Sequence, residues 1–188
     1  MTHKHRMRWD AILDRVPVYE SSVGVEVGVW EGKMSEKLLA ARPRLKLLMV
    51  DRWMPPAQDD SYFSSGSQIA LKPQEVYAQA RTTATVRVAL ARAQGRAIIC
   101  QTESLAASEL VAETGPQPDW VFLDADHSFA GVASDITAWW PLVRSGGWIG
   151  GHDWDHPEQG QVKEAVLAFF AASEIQLDAN RTWFVRKP

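Results

Sequence analysis

Val23-Gly-Val-Glu-Val-Gly-Val-Trp-Glu-Gly32 decides how this chain is read. Its first part alternates with β-branched residues and reads as a strand over 23–28. Its second part is a glycine turn, followed by helical character from Lys33 to Ala41 that Pro43 stops. Glycines at such a turn let the backbone tighten and approach a ligand just ahead of a helix N-terminus. Two familiar phosphate-binding patterns are near misses. Gly24, Gly28 and Gly32 stand four apart, whereas the dinucleotide fingerprint is G-x-G-x-x-G. Gly32-Lys33 is followed by Met34, and Val27 stands where the first glycine of a P-loop belongs.

Outward from this segment, strands and helices alternate. Leu45 to Val50 reads as a second strand, nearly continuous in apolar residues as in a buried parallel sheet. Further strands are expected over 97–100, 120–123 and 148–150, with helices over 75–94, 105–113, 130–143 and 161–172. A short helix over 9–16, ended by Pro17, precedes the first strand. Segments 175–177 and 183–185 close the chain as two strands that can pair as a hairpin-like edge. The alternation predicts an α/β fold: a Rossmann-like, doubly wound, mostly parallel sheet with helices on both faces. Residues 1–188 are expected to form one domain, with 1–21 as N-terminal helix and tail. Residues 53–73, rich in Pro, Ser, Asp and Gln, form a loop long enough to be a lid, with Trp53, Tyr62 and Phe63 as its aromatics.

Composition narrows the partners. The chain is 46% hydrophobic and 23% charged, ordinary for a globular domain, and its formal net charge is −3. No nucleic-acid or membrane partner is expected, because both leave a basic footprint. The basic stretch Met1 to Arg8 reads as a solvated tail. The single cysteine, Cys100, excludes an intrachain disulfide and reads as a buried strand residue. No apolar stretch approaches the ~18 residues of a membrane span and no signal-peptide pattern opens the chain, so a cytoplasmic location is expected. Several of the nine tryptophans fall beside the motifs, which suggests an aromatic-lined pocket.

Ligands of such sheets bind beyond the carboxyl ends of the strands. Asp51, 25 residues beyond Glu26, ends the second strand, where it can accept bonds from ribose hydroxyls or cap a helix. Gln101-Thr-Glu-Ser104 ends the third, where it can meet an adenine edge or cap the next helix. Asp124-Ala-Asp126-His127 leaves the fourth strand, and Gly151-His152-Asp153, then Asp155 and His156, leave the fifth. Buried carboxylates are costly unless paired or bound to a cation. Together these O- and N-donors suit a divalent metal, or a general base beside an acceptor hydroxyl.

In these parts the chain resembles the class I S-adenosylmethionine-dependent methyltransferases over residues 22–186. The resemblance rests on the segment 23–32, Asp51, Asp119-Trp-Val-Phe-Leu-Asp-Ala-Asp-His-Ser-Phe129, Asp135-Ile-Thr-Ala-Trp-Trp-Pro-Leu-Val-Arg-Ser-Gly-Gly147 and Trp148-Ile-Gly-Gly-His-Asp153. It looks most like a small bacterial branch with D-A-D-H-S-[YF] and G-G-H-D motifs. The resemblance implies S-adenosylmethionine as cofactor and a seven-stranded sheet whose last strand pair runs antiparallel to the rest. It implies that Glu26, Gly28 and Gly32, with Trp30 in the same turn, border the methionine part of the cofactor. Asp51 would hold the ribose, and Glu103 and Ser104 would lie near the adenine, with Asp124 also on the cofactor side. More distant catechol-type and caffeoyl-CoA-type relatives place a metal-binding Asp where Asp124 stands, a lysine where His127 stands and an Asp-Asn pair near Asp153-Trp154. Here His127 replaces the lysine, and Trp154 cannot ligate a metal.

The expected activity is O-methylation of a small-molecule acceptor. His127 or His152 would be the base and Asp124 a metal ligand or orienter. Asp124, His152 and Asp153 are the candidate ligands for a divalent metal such as magnesium. A homodimer is the base-rate expectation for assembly. Three rivals are a metal-dependent hydrolase using Asp124, Asp126, His152 and Asp153, a non-catalytic protein that keeps the fold, and a nicotinamide-dependent oxidoreductase. The glycine turn with Asp51 argues against the first, the intact acidic and His clusters against the second, and the glycine spacing against the third.

Overall fold

The segment that begins at Ser22 becomes β1 (Ser22–Val27), the central strand of the sheet. In a computed structural model describing residues 6–57, 69–157 and 161–188, β1 pairs in parallel with β2 (Leu45–Asp51) on one side and β4 (Trp120–Leu123) on the other. With β3 (Ala97–Gln101), β5 (Trp148–Gly151), β6 (Ile175–Asp178) and β7 (Thr182–Arg186), the sheet has seven strands in the order β3-β2-β1-β4-β5-β7-β6. Strand order reverses between β1 and β4, so a crevice opens beyond their carboxyl ends.

The last two strands are not jointly antiparallel to the rest: β7 pairs antiparallel with both β5 and β6, so β7 alone is reversed. A turn through Asn180 and Arg181, both at positive φ (57° and 56°), folds the chain back after β6. β7 then inserts between β5 and the edge strand, where Gly150 and Gly151 of β5 leave room for Phe184 and Trp183.

Alternate strand residues face two separate cores, as a period of two requires. Leu47 and Met49 of β2, Phe122 of β4 and Phe184 of β7 point to one side. There they meet α1 (Arg8–Leu13), α2 (Lys33–Ala41), α3 (Gln74–Arg87) and α4 (Ala89–Ala93) through Ile12, Leu38, Ala84 and Ala91. Val25, Val27, Val121, Ile149 and Val185 point to the other side. They meet α5 (Ser104–Thr114), α6 (Phe129–Trp139) and α7 (Gln161–Phe169) through Ala107, Ile136 and Val166.

Several helices are shorter than their patterns suggest: α1 ends at Leu13 and α7 at Phe169, each three residues early. The helix expected over 75–94 breaks at Val88 into α3 and α4. The hydroxyls of Thr82, Thr83 and Thr85 bond back to the carbonyls four residues earlier, a pattern that bends helices. α6 ends at Trp139, two residues before Pro141.

Trp53 is not part of a lid. It is 1% exposed, belongs to the core and donates from its indole Nε1 to the Trp30 carbonyl at 2.8 Å. Tyr62 and Phe63, the other aromatics of that expected lid, lie outside the described residues. No helix among the described residues is long and apolar enough to cross a membrane.

Candidate active site

A cleft of about 740 Å³ lies at the carboxyl ends of β1, β2, β4 and β5. Its floor is the turn after β1. Gly28 takes φ 89°, and a Cβ there would sit 2.1 Å from the Asp124 carbonyl oxygen. Only glycine lets β1 and β4 end this close together. Trp30 follows in the left-handed region at φ 53°, and its ring meets Tyr77 edge-on at 5.4 Å.

Asp51 holds this turn in shape. Its Oδ2 accepts from the backbone N–H of Val29 (2.9 Å) and Trp30 (2.8 Å), and its Oδ1 from that of Trp53 (2.7 Å). Burial raises its pKa, against the pull of these three N–H groups. A carboxylate offers about four acceptor positions, so three backbone bonds leave room for roughly one ligand hydroxyl. Asp51 also lines the cleft.

Glu26 and Gly32, both expected at the cofactor, do not line the cleft. Glu26 stands between Val25 and Val27, so it faces the opposite side of the sheet, in register with Met49 and Phe122. It is 1% exposed, and its Oε2 accepts from Ser35 Oγ at 2.5 Å. Burial pushes its pKa up to about 8, only partly countered by the Ser35 bond and the charge of Arg8. Gly32 starts α2, and a Cβ there would lie 3.0 Å from Ala84 of α3. Both residues shape the turn from beneath.

At the β3 end, Thr102, Glu103 and Ser104 line the cleft. Glu103 precedes α5 without capping it, and its carboxylate lies 3.6 Å from Arg52. Ser104 Oγ accepts from Trp139 Nε1 at 2.9 Å. Beside it is Asp135, which is not among the residues expected at the site. It is 5% exposed, and burial pushes its pKa up to about 7 despite a bond from Ser104. A signal existed: Asp135 shares the apolar stripe Val132, Ile136, Trp139 at helical spacing, and an acid there calls for an explanation.

At the β4 and β5 ends the two expected clusters do come together. His152 Nδ1 donates to Asp153 Oδ1 at 2.9 Å and lies 3.7 Å from Asp124 Oδ1. His127 Nε2 lies 3.4 Å from both Asp124 Oδ1 and Asp153 Oδ2. These four side chains are only 8–14% exposed. Neither ring nitrogen of His127 has a well-formed hydrogen bond, and nor has His152 Nε2. Burial alone would lower the His127 pKa, but the carboxylates of Asp124, Asp153 and Asp126 outweigh it and raise it. Burial would raise that of Asp153, but the His152 bond and the charges of His152, His127 and His156 pull it below the usual range. Asp153 takes φ 58°, a strained backbone that aims its carboxylate inward.

Asp124, His152 and Asp153 each offer a ligand atom within 4.8 Å of the others. That spacing and the mixed O/N donor set fit a divalent cation. A further charge at the cleft is Arg8 of α1. Expected in a solvated tail, it instead places its NH1 2.8 Å from Asp124 Oδ2.

The family profile described as a methyltransferase domain matches residues 25–154, more than two-thirds of the 188. The chain belongs to this methyltransferase family. The matched span begins in β1 and ends beside Asp153, so it contains every residue that lines the cleft except Arg8 and His156. Solved structures share the fold of this methyltransferase. The calicheamicin methyltransferase CalS11 superposes with a TM-score of 0.71 at 14% identity, over 95% of this chain and 76% of that one. Its apo form, described as a TDP-rhamnose 3'-O-methyltransferase, gives 0.65 at 14% identity, over 95% and 77%. An O-methyltransferase from Bacillus cereus in complex with SAH gives 0.60 at 12% identity, over 89% and 74%. No curated protein matches the methyltransferase in sequence.

Proposed function

We propose that this methyltransferase uses S-adenosylmethionine to methylate the hydroxyl oxygen of a small molecule, with His152 as the general base. The observation that carries this reading is the Asp153–His152 pair, which opens onto the same cleft as the glycine turn and Asp51. The cofactor supplies a methyl group activated on a sulfonium. The chain's own task is alignment and removal of one proton.

Asp153 accepts from His152 Nδ1, which fixes the tautomer and leaves Nε2 as the lone-pair nitrogen, buried and without a partner. An acceptor hydroxyl placed there gives its proton to Nε2 as its oxygen takes the methyl group. His127, held between two carboxylates with a raised pKa, favours the charged form and suits charge balance rather than base duty. Asp51 would take a ribose hydroxyl on its remaining acceptor position, and Ser104 with Asp135 would border the adenine.

A second reading has its own support. The Asp124, His152 and Asp153 donors fit a divalent cation such as magnesium. When bound, such an ion lowers the pKa of a coordinated hydroxyl. His152 would then be a ligand and His127 the remaining imidazole.

Calorimetric titration with S-adenosylmethionine and with NAD, each with and without magnesium, tests the donor. Binding of the former alone supports the reading; binding of NAD alone overturns it. Turnover on sugar hydroxyls, such as the nucleotide-linked rhamnose of the CalS11 description, and on phenols then tests the acceptor. His152→Ala is expected to lower kcat about 10²- to 10⁴-fold, the usual range for a general base, with little change in cofactor affinity. An unchanged kcat would remove His152 from this role.

A further inference from the structure

Arg8 is not held in the cleft by chance. α1 is anchored through Ala11 and Ile12, which are 0% and 2% exposed. Asp10 caps its first turn by accepting from Met7 N–H at 2.8 Å. Arg42 of the loop after α2 donates from Nε to the Val16 carbonyl at 2.9 Å, fixing the chain beyond the helix. From this support Arg8 reaches over the turn to Asp124, whose backbone is in contact with Gly28. The Arg8 side chain keeps a third of its surface exposed and lines the cleft, while Asp124 is 8% exposed.

The pair therefore presents a positive and a negative group side by side in the cleft, beside the glycine turn that follows β1. A guanidinium has five N–H donors in a planar fork matched to a carboxylate. The contact with Asp124 is made through NH1, and Asp124 Oδ1 is turned away toward the two histidines. An α-amino acid carries the complementary charges on one carbon. We propose that Arg8 and Asp124 form a zwitterion clamp for the amino-acid head of the cofactor, Arg8 taking the α-carboxylate and Asp124 the α-ammonium. The inference rests on S-adenosylmethionine being the donor. In the free protein the two side chains neutralise each other. On binding, one ion pair is exchanged for two, so neither charge is left buried and unpaired. α1, outside the matched family span, thereby becomes part of the binding site.

The test compares two thioethers by calorimetry: S-adenosylhomocysteine and its decarboxylated counterpart, which keeps the amine. Wild type is expected to prefer the carboxylated ligand by about 10- to 100-fold, as for a charge-assisted bond to a carboxylate. Arg8→Gln is expected to bind both within about 3-fold, and Arg8→Lys to keep an intermediate preference, since a point charge replaces the fork. If wild type binds both ligands equally, the clamp is wrong and the donor reading stands. If wild type binds neither, the donor reading fails and takes the clamp with it. A full preference retained in Arg8→Gln also overturns the assignment. The wild-type ratio decides even if a variant folds poorly.

Discussion

Glu26 illustrates how much of this protein's chemistry is set one residue at a time. Strand alternation alone sends its side chain into the core beneath α2, where Ser35 is its hydrogen-bond partner. Its pKa is raised from 4.5 to about 8, so the folded state favours the neutral acid and the unfolded state the carboxylate. Its contribution to stability is complete below pH ~4.5 and is lost as pH rises through about 8. Glu26→Gln removes this dependence. In urea melts the stability of the variant relative to wild type should climb by roughly a few kcal/mol across that window and level off above it. A flat difference would mean that Glu26 ionises freely in the folded protein. Asp135, raised to about 7, has the same sign over a window that opens near its ordinary value of 3.8.

At the scale of elements, the cleft exists because β1 and β4 converge at Gly28. Both faults of a side chain there act together: φ 89° is unfavourable for an L-residue, and the Cβ would meet the Asp124 backbone at 2.1 Å. Gly28→Ala should destabilise the protein by about 2–4 kcal/mol, since strain and overpacking each cost about 1–3 kcal/mol. It should also weaken cofactor binding more than Gly32→Ala, whose neighbour across the helix is only an alanine at 3.0 Å. Thermal melts and calorimetry on the two variants check the order. The same scale shows what periodicity can miss. The strands fall within a residue or two of their expected places because alternation is a local property. The break at Val88 follows three threonine hydroxyls that turn back on the backbone, and the placement of β7 brings Phe184 and Trp183 against the glycines of β5.

For the whole molecule, the cleft draws on β1 through β5 and on α1, so a ligand filling it ties the two cores together. S-adenosylhomocysteine at 100 times its Kd should add about 2.7 kcal/mol to stability. At about 2–4 °C per kcal/mol for a chain of this size, Tm should rise by roughly 5–11 °C. No shift under saturating ligand would contradict binding to the folded state. Magnesium alone should raise Tm if Asp124, His152 and Asp153 hold a cation.

The α/β class, the strands, and the gathering of Asp51, Asp124, His127, His152 and Asp153 at strand ends are legible in the amino-acid order. Those follow from local periodicity and from the rule that parallel strands deliver their carboxyl ends to one edge. That Arg8 enters the cleft, that Glu26 turns away from it, that Asp135 is buried in its wall and that Trp53 is core emerges with packing. Each of these depends on which surfaces meet across long stretches of chain. Arg8 and Asp124 are 116 residues apart, and Ser104 and Asp135 are 31 apart. The cost or gain of burying a charge is set by the partner found there, and a partner is a property of the packed molecule.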